Sequence, residues 1–149
     1  MTTPAQYATW LDKAWNEETW TPPWGKAIAE LTAEQAAWKP PGARHSIWML
    51  VLHMSFWRAL KLDELAGAKR DEAATAAGNW RVPQAITEAA WRAAVDELAA
   101  LQGRVVAAMG ESEKAADLLR NFIEHDAYHF GQIMLIRAML GLKPLDSFG

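Results

Sequence analysis

The stretch 46-SIWMLVLHMSFWRALKLDELAG-67 decides the fold. Ser46 is a good N-cap, because its hydroxyl can accept from the free N–H groups of a first turn, and Gly67 is a natural stop. Between them Ile47, Leu50, Val51, Met54, Trp57 and Leu60, with the stem of Lys61, recur at the 3.6-residue period of an amphipathic helix. The spacing predicts one long helix over residues 46–66. His53 falls on its apolar stripe, between Leu50, Met54 and Trp57. A neutral imidazole is cheaper to bury than a charge, yet each ring nitrogen still needs a partner.

The same period extends outward in both directions, and no stretch alternates as a strand would. Tyr7, Leu11 and Trp15 at four-residue spacing predict a first helix over residues 4–20, ended by the TPPWG of residues 21–25. Residues 26–31 read as a short helical turn. Thr32 and Gln35 have the spacing of a capping box for another short helix, and KPPGARH at 39–45 is a loop, since two prolines and a glycine cannot continue a helix. Residues 67–83 read as a mobile loop or short helix. Thr87 caps a long helix over 88–109, stopped by Gly110. A last helix from Glu111 or Ser112 runs to Leu140, closed by Gly141 with Pro144 beyond. Long helices joined by short connections predict an all-α four-helix bundle with short extra helices, a single domain over 1–149.

Composition narrows the functional classes. The 149 residues are 51% hydrophobic and 22% charged, as expected of a globular chain able to bury a core. The formal net charge of −3 argues against nucleic acid as a partner, because phosphate binding wants a basic face. No apolar run reaches the roughly 18 residues of a membrane span. MTTPAQYATW has neither the basic nor the apolar region of a signal peptide, so the expected location is cytoplasmic. With no cysteine there is no disulfide, thiolate ligand or cysteine nucleophile. Nine tryptophans are many for this length; most are expected in the core, with two or three left to line a pocket.

The chain has four histidines, and two of them, His125 and His129, lie in 122-FIEHDAYHFGQI-133. Four residues of helix turn about 400° and rise about 6 Å, so both imidazoles face one point. Leu118, Phe122, Ile133 and Ile136 flank that face and turn it inward. If His53 faces inward from its own helix, three neutral nitrogen donors converge, leaving open positions as catalytic zinc, nickel or iron sites do. His45 lies about 12 Å along the axis from His53 and is expected to be an exposed loop residue. HDAYH has the outline of a zincin helix, but no later histidine or glutamate supplies a third ligand. The HD of His125 and Asp126 also fits phosphohydrolases, which need further ligands and leave His129 unexplained. Asp126 is open to a supporting hydrogen bond, an inter-helix ion pair or a catalytic role. Tyr128 and Gln132 are candidates to fix an imidazole tautomer.

Together, 31-LTAEQAAWKPPGARHSIWMLVLHMSFW-57 and 125-HDAYHFGQIMLIR-137 resemble the DinB-like (DinB/YfiT) family, over about residues 31–144. The resemblance implies a four-helix bundle, often a homodimer, holding one divalent metal ion (zinc, nickel, iron or manganese) on His53, His125 and His129. It also implies relatives that transfer or isomerise low-molecular-weight thiol conjugates. The leading expectation is a metal-dependent S-transferase, with Trp48 and Trp57 walling a pocket for the electrophile. A metal-dependent hydrolase and a non-catalytic metal-stabilised or ligand-binding bundle remain as alternatives.

Overall fold

The computed structural model describes residues 1–145; the last four residues of the domain read over 1–149 lie outside them. Among the described residues the chain is all helical. In order, α1 spans Pro4–Asn16, α2 Trp24–Ala29, α3 Ala33–Ala37, α4 Ile47–Leu65, α5 Glu72–Gly78, α6 Glu88–Glu111, α7 Glu113–Leu119 and α8 Phe122–Met139.

Local chemistry sets most of these boundaries. Ser46 Oγ accepts from Met49 N–H at 3.3 Å and opens α4. Thr32 and Gln35 close the expected capping box, at 3.2 and 3.0 Å. Gly67 adopts φ +100°, and Ala68 N–H donates to Asp63 C=O at 2.9 Å, so α4 stops in the left-handed turn that only glycine enters cheaply.

Four boundaries differ from the reading, one of them α2, which opens at Trp24 inside the TPPWG stretch and ends at Ala29 rather than spanning residues 26–31. α1 ends at Asn16, not Trp20: Glu17 is already extended, and Trp20, fully exposed, has no core to bury against. α6 passes through Gly110 and stops at Ser112, whose extended backbone ends one helix while its hydroxyl caps the next by accepting from Ala115 N–H. The single helix expected from there to Leu140 is two, broken at Arg120 and Asn121, where Ile123 N–H bonds Arg120 C=O at 3.0 Å. The break lets Leu119 and Phe122 both bury.

α6 is the central packing element, lying against α1, α4 and α7, while α4 also packs on α3, α7 and α8. Leu11, Ile28, Ile47, Leu98 and Trp91 are completely buried between them. Trp91 Nε1–H donates to Leu31 C=O at 2.8 Å, which satisfies the one polar atom its burial would strand. The inward stripe of α4 continues through Arg58 and Leu62, whereas Trp57 and Leu60 lie at its margin, only half buried. No helix among the described residues is long and apolar enough to cross a membrane.

Candidate metal centre

α4 and α8 bring His53, His125 and His129 to one point, with a donor atom from each lying within 4.8 Å of the others. His53 and His129 are buried, and His125 keeps 30% side-chain exposure. The i, i+4 pair comes from one face of α8, as the spacing predicts, and His53 faces it from the α4 stripe.

The other ring nitrogens decide what these imidazoles present to one another. His53 Nδ1 lies 2.9 Å from the carbonyl of Asn79, an atom that only accepts, so Nδ1 carries the proton. His125 Nδ1 lies 3.0 Å from Asp126 Oδ1, and the Asp126 carboxyl group also meets the Arg58 guanidinium. His129 Nδ1 lies 2.8 Å from Gln132 Oε1, whose amide is oriented by donating from Nε2 to the Tyr128 hydroxyl at 3.3 Å. In its neutral form each ring therefore donates from Nδ1 to an oxygen and leaves Nε2 as a bare lone pair. Nε2 of His53 and Nε2 of His125 stand 3.1 Å apart. Two lone pairs at that distance repel unless a proton or a cation lies between them. A proton on His53 is disfavoured: burial, with His129 and His125 alongside, outweighs the Asn79 bond and lowers His53 to about 4. Burial, chiefly, also lowers His129. Nitrogens on one tetrahedral zinc stand about 3.3 Å apart, given Zn–N near 2.0–2.1 Å. The three donors could hold a divalent metal ion.

Behind the cluster lies a buried polar network that the sequence did not reveal. Asp126 pairs with Arg58, and both side chains are fully buried. Arg58 also bonds Gln102 Oε1 at 2.7 Å and Met54 C=O at 3.3 Å, and Gln102 Nε2–H donates to Leu11 C=O at 3.1 Å. One imidazole is thus tied through a carboxylate and a guanidinium to α6 and α1. Asp126 takes two of the three roles open to it, ion pair and imidazole support.

The irregular segment after α5 supplies the remaining support. Asn79 gives its carbonyl to His53 and its side-chain oxygen to Trp57 Nε1–H at 2.8 Å. Trp80 stacks on His53, with ring centroids 3.8 Å apart and planes 6° apart. Its other face stacks on His45 at 3.7 Å and 7°. His45 is therefore half buried beside the site rather than free on a loop, because the aromatic ring between the two histidines draws the loop inward.

Two cavities flank the cluster. One of about 580 Å³ touches His129, His45, Trp80 and Tyr128; one of about 360 Å³ touches His125, Trp57 and Phe122. Trp57 is a pocket wall as expected. Trp48 is buried against Trp91 and lines neither of these two cavities; it walls a third, of about 640 Å³, that it shares with Trp80 and that none of the three histidines lines.

Fold and site define an all-helical protein with a preformed three-histidine cluster able to hold a metal ion. Compared with known proteins, the chain matches no family model, no curated protein and no solved structure.

Proposed function

We propose that the protein is a divalent-metal protein of the DinB-like four-helix-bundle kind, with His53, His125 and His129 as ligands, and that it transfers a low-molecular-weight thiol to an electrophile. One observation carries the metal: three imidazoles, each with Nδ1 beside an oxygen, bring one donor atom apiece within 4.8 Å of the others. Three neutral ligands leave the ion's charge uncompensated, and such an ion lowers the pKa of a thiol or water bound to it. The chain has no cysteine, so the sulfur nucleophile comes from the substrate. In the transfer a sulfur–carbon bond forms, the leaving group departs with its electron pair, and the thiol proton passes to solvent. Asn79, Asp126 and Gln132 hold the imidazoles in the required tautomer, and Trp57 and Trp80 wall the two cavities.

The test is elemental analysis of purified protein, followed by a screen of thiols and electrophiles. About one ion per chain is expected, with conjugation that saturates in thiol and is lost in His129→Ala. Full occupancy with no acceleration for any pair would remove the transferase reading. A second reading, a metal-stabilised bundle without catalysis, draws on the buried Arg58–Asp126 pair, which anchors a ligand to the core rather than to a pocket. Homodimerisation in either case is checked by light scattering of the metal-loaded protein.

A further inference from the structure

The larger of the two cavities flanking the cluster has a chemical polarity that the metal alone does not explain. It is lined by His129, a proposed ligand, by the apolar Pro40, Leu135 and Met139, and by Arg44 and His45. Among the described residues Arg44 is the only Lys, Arg, Asp or Glu lining it. Among the described residues Arg44 has neither an ion-pair partner nor a hydrogen bond.

His45 adds a second donor. Its Nδ1 is buried without a partner, whereas Nε2 is not among the buried unpartnered atoms. A buried ring nitrogen lacking an acceptor is better left bare than protonated, which puts the proton on Nε2. Burial first, then Arg44 and Lys39, lowers the pKa of His45 and keeps the ring neutral. Stacking on Trp80 fixes the plane of the imidazole and so the direction of its N–H.

We propose that this cavity is a substrate subsite for a small monocarboxylic acid with an apolar body, the carboxylate held by Arg44 and His45 and the other end directed at the histidine cluster. A guanidinium fork matches a carboxylate edge. One guanidinium and one neutral donor line the cavity, which suits a monoanion. About 580 Å³ suits a ligand of one ring or a short chain. The assignment deepens the metal reading, and rests on it for the direction in which the ligand's far end points.

The test is a fluorine NMR titration of 4-fluorobenzoate and its neutral isostere 4-fluorobenzamide, with zinc content of each sample measured alongside. Zinc-loaded protein is expected to bind the acid at least tenfold more tightly than the amide. Arg44→Met should bring the acid down to the amide's affinity while leaving zinc content and amide binding unchanged. Arg44 is exposed on a loop, so this variant folds. Acid binding that survives Arg44→Met but disappears on zinc removal means that the carboxylate ligates the metal, and overturns the subsite. Equal binding of acid and amide also overturns it, as does inorganic phosphate binding more tightly than 4-fluorobenzoate. Protein that takes up no zinc yet binds the acid through Arg44 keeps the subsite and removes the metal reading.

Discussion

At the scale of single residues, the tautomers of three histidines carry the argument. His53→Ala, His125→Ala and His129→Ala should each abolish stoichiometric metal binding, and His45→Ala should not; elemental analysis after dialysis against buffered zinc separates these outcomes. Gln132→Ala removes only the oxygen behind an imidazole, so it should weaken the metal by about 10–100-fold rather than abolish it. Acidity supplies an independent check on metal-free protein. Folding lowers His53 from an ordinary value of 6.5 to about 4. Between those values the unfolded chain binds a proton that the folded chain refuses, so stability falls as pH drops from 6.5 to 4 and this contribution is fully lost below it. His129 is lowered too and adds in the same direction. Urea midpoints measured across that range should decline in the native protein and decline less in His53→Gln; parallel curves would contradict the burial of a neutral His53.

At the scale of elements, α4 and α8 are joined by the Arg58–Asp126 pair as well as by the histidines. Arg58→Met leaves a buried carboxylate without its cation and should cost about 3–5 kcal/mol, whereas Arg58→Met with Asp126→Leu should recover much of that loss. Chemical denaturation of the singles and the double gives the coupling directly; additive losses would mean that the pair is not a unit. Gly78 ends α5 against α4, where an added Cβ would come within 2.4 Å of the Phe56 ring. Gly78→Ala should push Asn79 and Trp80 off His53 and lower metal affinity severalfold in a competition titration with a chelating dye. These two elements also show what sequence can carry. The α4 stripe and the i, i+4 pair on α8 were legible because helical period converts spacing into direction. Arg58 was not, because a lone arginine near a stripe reads as a solvated margin until its carboxylate partner, 68 positions away, is in place. Asn79 and Trp80 were illegible for another reason. They act from irregular backbone, through a main-chain carbonyl and a ring face, and neither leaves a periodic trace. The break at Arg120 and Asn121 was hidden because helical residues run through it without proline or glycine.

At the scale of the whole molecule, metal binding and folding should be one equilibrium viewed from two sides. The proposed ligands come from α4 and α8, which are separated by α5, α6 and α7 in the chain. The unfolded chain therefore offers no comparable site, and any ion bound to the folded form stabilises it by mass action. Free zinc at 100 times its dissociation constant should add about 2.7 kcal/mol. For a chain of this size that is an increase in Tm of roughly 5–10 °C. Unlike an enzyme assay, the shift does not depend on knowing a substrate. Calorimetric scans of chelator-treated protein against increasing buffered zinc measure it, and the increase should continue logarithmically above saturation. His129→Ala should remove the increase, leaving a transition near that of the chelator-treated parent. His45→Ala should retain it in full, since His45 stands on the far side of Trp80 from the cluster. A native protein whose Tm ignores zinc across that range would leave the three converging lone pairs without an ion and sink the metal reading.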